Sequence, residues 1–190
     1  MLIKQRKILT NGIQLNVAEA GKGPLVLFVH GFPESCYSWR HLIPAVASAG
    51  YHAVAMDMRG YGQSDKPSEI EAYNQVEVTK DVIGLIEALG HSSAVVFGHD
   101  WGGPTAYALA ASHPEAVEKL VILDVVIPGC GGDFSEGGRR WHHQFHMTAD
   151  LPEDLISGRE EIYLSWFYKT FAYKPNSITQ KDIDLSLIHI

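Results

Sequence analysis

This chain of 190 residues is poor in several features that would narrow its role at once. It has only two cysteines, Cys36 and Cys130, and neither a CxxC nor a Cys/His spacing suited to zinc, so no disulfide framework or zinc site is expected. Both thiols read as reduced, as in a cytoplasmic protein. No run of lysine and arginine forms a basic patch, and the formal net charge of -7 argues against nucleic acid as a partner. No apolar run is long enough to span a bilayer, and no stretch pairs a charged start with an apolar core, so neither membrane insertion nor a signal peptide is expected. Ten histidines are present, but none at HExxH or comparable spacing, which excludes the familiar metal motifs. Internal repeats are absent.

What is present describes a globular chain with one core, 46% hydrophobic by composition. Ile3–Leu9 and Ile13–Glu19 flank Thr10-Asn11-Gly12, and Asn-Gly between two strand-like runs predicts a hairpin. Leu25–Val29 is apolar on both faces, as a central strand of a covered sheet would be. The spacing of Trp39, Leu42, Ile43 and Val46 predicts a helix over Trp39–Ser48, stopped by Gly50. His52–Met56 reads as a strand that empties into Asp57-Met58-Arg59-Gly60-Tyr61-Gly62-Gln63-Ser64. Val76, Val82, Ile83, Ile86 and Leu89 give a helix one apolar stripe, and Val117–Leu123 is a further strand. The βαβαβ order with short connections predicts a parallel sheet with helices on both faces. Binding residues in such sheets gather at the carboxyl ends of strands, where His30-Gly31-Phe32, Asp57-Met58-Arg59, Asp100 and Asp124 all fall.

The stretch from Ala94 to Gly103 carries the most chemistry. An apolar run reaches Gly98-His99-Asp100-Trp101-Gly102-Gly103, and a small-residue helical pattern follows. Strand, tight turn and helix in this order form a nucleophile elbow, with Asp100 at the apex where many elbows have serine. A carboxylate there suits attack on a saturated carbon to form an ester that water then cleaves, whereas a serine suits acyl transfer. The plainer alternative is that Asp100 only caps the helix.

Past Asp124 the character changes. Pro128-Gly129-Cys130-Gly131-Gly132-Asp133 and Gly137-Gly138 form a link without periodicity, and Arg139–Met147, Leu155–Ser157 and Glu160–Phe171 look helical. The expected division is a core over 1–128 followed by a helical insertion, read as a lid over the sheet's active edge.

Together, His30-Gly31-Phe32-Pro33-Glu34-Ser35, the Asp57–Ser64 loop and Gly98-His99-Asp100-Trp101-Gly102-Gly103 resemble the epoxide hydrolases of the α/β-hydrolase fold, near the bacterial epoxide hydrolase and fluoroacetate dehalogenase group. The resemblance implies an α/β fold with a mostly parallel sheet flanked by helices and a helical lid. It implies an epoxide opened to a vicinal diol through an Asp100 ester, without cofactor or metal. Phe32 and Trp101 would hold the oxyanion with their backbone N–H groups. Asp124, at a strand tip, would be the acid that orients the catalytic histidine. His142, in Trp141-His142-His143-Gln144-Phe145, would donate a hydrogen bond to the epoxide oxygen or contact a halide; the alternative for it is a solvated helix face. His30 and His99, beside glycines, read as structural hydrogen-bonders.

The partner implied is a small molecule, an epoxide or a halogenated organic compound. A haloacid or haloalkane dehalogenase using the same Asp nucleophile is the second reading. Trp101 and Pro104 stand where fluoroacetate dehalogenases have arginines, and Phe32 stands where haloalkane dehalogenases have asparagine, which favours the epoxide. The third reading is a non-catalytic protein of the same fold, because the catalytic histidine and the second lid donor of the family have no counterpart here. His189 lies in residues 185–190, which depart from the family after Asp184 and are expected to be a non-native tail behind a partial helical lid over 129–184. The chain therefore resembles a member truncated at its C-terminus, and is expected to be inactive alone.

Overall fold

Asn11 and Gly12 both take left-handed backbone, with φ of 45° and 76°, the pair of positive angles a type I′ turn requires. Strands β1 (Lys4–Thr10) and β2 (Ile13–Ala20) accordingly pair in register from Lys4 with Glu19 to Thr10 with Ile13. The computed structural model describes residues 2–131 and 135–188; Gly132 and Asp133 of the glycine link, and His189 of the tail, lie outside them. Two compact units separate, Met1–Ile127 and Pro128–Ile188, each with its own core.

The first unit is a mixed six-stranded sheet in the order β1-β2-β4-β3-β5-β6. Strands β3 (Leu25–Val29), β4 (His52–Met56), β5 (Ala94–His99) and β6 (Val117–Leu123) are parallel, and the hairpin joins antiparallel through β2 and β4. All five residues of β3 are buried, as its unbroken apolar run predicts for a strand covered on both faces. Alternation sorts the side chains into two layers. Leu15, Val17, Leu27, Val54 and Met56 pack with Val82, Leu85 and Ile86 of α2 (Gln75–Ala88) and with Ala106 and Leu109 of α3 (Gly102–Ser112). Ala18, Val26, Phe28, Ala53 and Ala55 pack on the other face with Trp39, Ile43 and Ala47. Asn74 starts α2 by accepting the Glu77 N–H at 3.0 Å.

One expected helix is broken. Trp39–Ser48 is not continuous: a 3-10 turn covers Cys36–Trp39, and the α-helix α1 begins only at Leu42 and ends at Ser48. Trp39 is drawn into the core, where its ring stacks on Phe28 at 4.9 Å, and the Ser35 side chain caps the turn through the Tyr37 N–H. Pro44 then sits in the first turn of α1, where its missing N–H leaves no helical bond unmade.

The second unit is helical among its described residues: α4 (Trp141–His146), α5 (Leu151–Ile156), α6 (Glu160–Phe171) and α7 (Gln180–Ile188). Its core is aromatic. Phe167 lies 5.0 Å from Tyr163, 5.1 Å from His142 and 5.3 Å from Phe171 by ring centroid. The Tyr163 hydroxyl meets His146 Nε2 at 2.6 Å, joining α4 to α6. Tyr168 donates to Ser186 Oγ at 2.9 Å, joining α6 to α7, so a helix runs into the 185–190 tail as far as Ile188.

Candidate active site

β5 stops at His99, and Asp100 turns the chain with φ of 50°, a left-handed angle uncommon for a residue with a Cβ. The turn is tight because its flanks are glycine: a Cβ on Gly98 would strike the Gly102 carbonyl, and one on Gly102 the Val29 carbonyl. Helix α3 begins at Gly102 with no side-chain cap, so Asp100 does not act as its cap. Its carboxylate is engaged elsewhere. The backbone N–H of Phe32 donates to Asp100 Oδ1 at 2.8 Å. A Cβ on Gly31 would strike both that oxygen and the Trp101 nitrogen, so Gly31 is what allows the two loops to approach. Asp100, the Phe32 N–H and the Trp101 nitrogen are thus brought together where the two loops meet.

Asp124 directly follows β6, the strand paired with β5, and also takes positive φ, 49°. It is exposed, and its carboxylate makes no hydrogen bond among the described residues. His142 belongs to α4 of the second unit. It is 9% exposed, and its Nδ1 has no partner among the described residues. Burial, with the charges of His143, His146 and Arg140 adding to it, lowers its pKa to about 4, so the ring is neutral near pH 7.

Asp57 and Arg59, expected among the binding residues at the strand ends, are not available for binding. Both are buried, at 2% and 4% exposure. Asp57 Oδ1 accepts the Cys36 N–H at 2.7 Å, and Oδ2 accepts from Asn16 Nδ2 at 2.8 Å and from the Gln63 N–H at 3.0 Å. Burial alone would raise its pKa, but these donors more than offset that and hold it below the usual carboxylate range. Arg59 forks onto both oxygens of Asp81 at 2.6 Å and also donates to the Ala72 carbonyl. A carboxylate and a guanidinium at a strand end are equally suited to binding or to fastening loops, and burial selects fastening here.

Two pairings have no local sequence signal. Glu34 Oε2 meets His99 Nδ1 at 2.9 Å, tying the loop of Phe32 to the strand of Asp100. Burial lowers the His99 pKa, but the Glu34 bond and the charges of Glu34, Asp100 and Asp124 overcome it and raise the pKa above 6.5. Asp81, the partner of Arg59, was hidden on the helix stripe of α2; a charged residue one position before apolar Val82 is the only hint. Among the described residues, no three of His, Cys, Asp and Glu are grouped to hold a metal, and no helix is long and apolar enough to cross a membrane.

A mostly parallel sheet between helices, with an acid at a strand-to-helix elbow and a backbone donor on its oxygen, defines an α/β-hydrolase. The chain belongs to the α/β-hydrolase fold family, whose model matches residues 24–178. Within it, the chain is 49% identical over 157 residues to an epoxide hydrolase of Caballeronia sordidicola, covering 80% of this chain and 47% of that protein. An epoxide hydrolase structure from an endophytic Streptomyces superposes with a TM-score of 0.86 at 31% identity, over 98% of this chain and 67% of that one. Cfl2 from Burkholderia cenocepacia superposes with a TM-score of 0.89 at 35% identity, over 98% and 65%. The chain spans about half the length of the curated relatives it matches.

Proposed function

We propose that this chain carries the nucleophile, the oxyanion donors and one lid donor of an epoxide hydrolase. The observation that carries the reading is the Asp100 carboxylate at a left-handed elbow, with the Phe32 N–H on Oδ1 at 2.8 Å. Oδ1 is thereby committed, which leaves Oδ2 as the attacking oxygen. Its attack on an epoxide carbon breaks the C–O bond, and the electron pair passes to the ring oxygen. His142, neutral and able to donate one N–H, stabilises that oxygen as charge develops. That oxygen takes a proton from solvent, and the product is a hydroxyalkyl ester of Asp100.

In the second step water adds to the ester carbonyl. Oδ1 becomes the oxyanion, held by the N–H groups of Phe32 and Trp101, and collapse releases the diol and restores the carboxylate. Asp124 orients the histidine that activates this water. No described histidine hydrogen-bonds Asp124, so the 190-residue chain alone is proposed to stop at the ester. The same elbow would also displace a halide, which keeps dehalogenation as the second reading. A small neutral epoxide is favoured because Trp101 and Pro104 offer a substrate carboxylate no guanidinium.

The test is incubation with excess styrene oxide, followed by intact mass and peptide mapping. One epoxide adduct on Asp100 without sustained diol release supports the reading. No adduct would remove it, and halide release from haloacetate without epoxide adduct would favour the dehalogenase.

A further inference from the structure

The Phe32 N–H can be aimed no better than the peptide plane that contains it. A peptide is planar and trans, so the Gly31 carbonyl and the Phe32 N–H point in opposite directions from one rigid plate. Whatever holds Gly31 O therefore directs Phe32 N–H. Two groups hold it: the Glu34 N–H at 2.9 Å, which closes the turn, and His30 Nδ1, also at 2.9 Å.

The protonation of that ring follows from its other end. His30 Nε2 faces the Met58 N–H at 3.1 Å, and an amide N–H only donates, so Nε2 carries the lone pair. The ring proton is then on Nδ1, which makes Nδ1 a donor to Gly31 O. His30 is fully buried, and burial lowers its pKa, so the neutral form is kept. A directed line of hydrogen bonds results: Met58 N–H to His30 Nε2, His30 Nδ1–H to Gly31 O, and, across the peptide plane, Phe32 N–H to Asp100 Oδ1. The far side of the turn is fixed as well, because Asp57 accepts the Cys36 N–H. The donor turn is thus fastened at residues 30 and 36 to two consecutive residues, Asp57 and Met58.

We propose that His30 is a positioning residue for the reaction: by bridging Gly31 O and the Met58 N–H it sets the plane of the Gly31–Phe32 peptide, and so aims the oxyanion donor at Asp100. The inference rests on the reading of the Phe32 N–H as that donor. Filling space in the core does not account for the arrangement, since both ring nitrogens are used on backbone groups and an apolar residue would leave a buried N–H unmet.

Two substitutions separate the two ends of the ring. In His30→Asn, the side-chain nitrogen stands where Nδ1 does and keeps a donor on Gly31 O while losing Met58. In His30→Gln, the longer side chain keeps an acceptor for Met58 and leaves Gly31 O with Glu34 alone. Alkylation builds no charge on Oδ1, so its rate reads how well the Phe32 N–H orients the carboxylate: at saturating styrene oxide the rate constant is expected to fall about a hundredfold in His30→Gln and less than about fivefold in His30→Asn. The half-saturating concentration should change in neither. Equal rates in two variants with equally lowered melting temperatures would leave His30 a stabilising residue only and overturn the proposal.

If the wild-type chain is not alkylated at Asp100, the functional reading fails first, and nuclear magnetic resonance still decides the positioning. The His30 ring should show a protonated Nδ1 and a bare Nε2 between roughly pH 6 and 8. In chain labelled with ¹⁵N-phenylalanine, the Phe32 amide should move in His30→Gln and stay in His30→Asn. An Nε2–H tautomer, or a Phe32 amide that moves in the Asn variant, overturns the proposal even where His30→Gln does not fold.

Discussion

Phe28 in the first unit and Phe167 in the second are both buried rings, yet their surroundings differ in kind. Phe28 is 0% exposed on a strand bonded along both edges, stacked on Trp39 at 4.9 Å and near Phe97 at 5.1 Å, within a layer of alanines and valines. Phe167 is 6% exposed on α6, and its neighbours are other rings. Several of these are themselves open to solvent: Trp141 at 40%, Trp166 at 42% and Phe171 at 50%. Each ring pair is worth only about 0.5–1.5 kcal/mol beyond its buried area, and among the described residues no sheet ties the helices of the second unit together. Asp100 and the Phe32 and Trp101 N–H groups, the proposed nucleophile and oxyanion donors, therefore stand on a frame locked by backbone ladders and the buried Arg59–Asp81 ion pair. His142, the proposed donor, stands on a helix of six residues packed through ring contacts on one of twelve.

The comparison is broken most severely at Asp100. Asp100→Asn should abolish adduct formation with styrene oxide, by about 10⁴-fold or more, because no second described group offers a nucleophile on an oxyanion donor. Residual alkylation mapped to that peptide at a tenth of the wild-type rate would contradict the assignment. Next comes the contrast in packing. Phe28→Ala should cost about 3–5 kcal/mol, read as loss of protection across the first-unit strands in hydrogen exchange. Phe167→Ala should cost less, about 2–3 kcal/mol, and expose the amides of α4 and α6. Equal losses of protection in the two units from either variant would erase the distinction.

On the chemistry side, His142, the proposed donor, should matter less than Asp100, the proposed nucleophile. His142→Phe is expected to slow alkylation by on the order of a hundredfold without abolishing it. A few-fold change would return His142 to a packing role.

The mildest test is titration, where the two units should move in opposite senses. His99 has its pKa raised by Glu34 and the neighbouring carboxylates, so its stabilising contribution is full below the ordinary 6.5 and is lost as pH rises through the raised value. His142 has its pKa lowered to about 4, so its contribution is full above 6.5 and is lost as pH falls toward 4. Ring-proton chemical shifts followed against pH should give one midpoint above 6.5 and one near 4. Coincident midpoints would mean that burial and charge do not divide the two sites this way.

Much of the fold was legible in the residues. Asn11-Gly12 demanded a hairpin, the unbroken apolar run at Leu25–Val29 demanded a covered strand, and Gly98 and Gly102 around Asp100 demanded a tight elbow. The helix expected over Trp39–Ser48 was not legible, because its apolar spacing is shared by a 3-10 turn that sends Trp39 into the core ahead of α1. Asp57 and Arg59 were read at the correct strand end but with the wrong office, since their burial depends on Asn16, Cys36 and Asp81, which are distant in the chain.

The sequence alone therefore determined what is local: the turn residues, the alternation of faces, and an acid rather than a serine at the elbow, each a consequence of backbone sterics and side-chain chemistry within a few positions. The tertiary structure decided what is paired. Glu34 meets His99 across 65 positions, Phe32 meets Asp100 across 68, and His30 faces Met58 across 28. Such pairs form only after strands that are remote in the chain lie side by side, because a hydrogen bond needs its partners within about 3 Å and the sheet order is what brings these loops to the same edge.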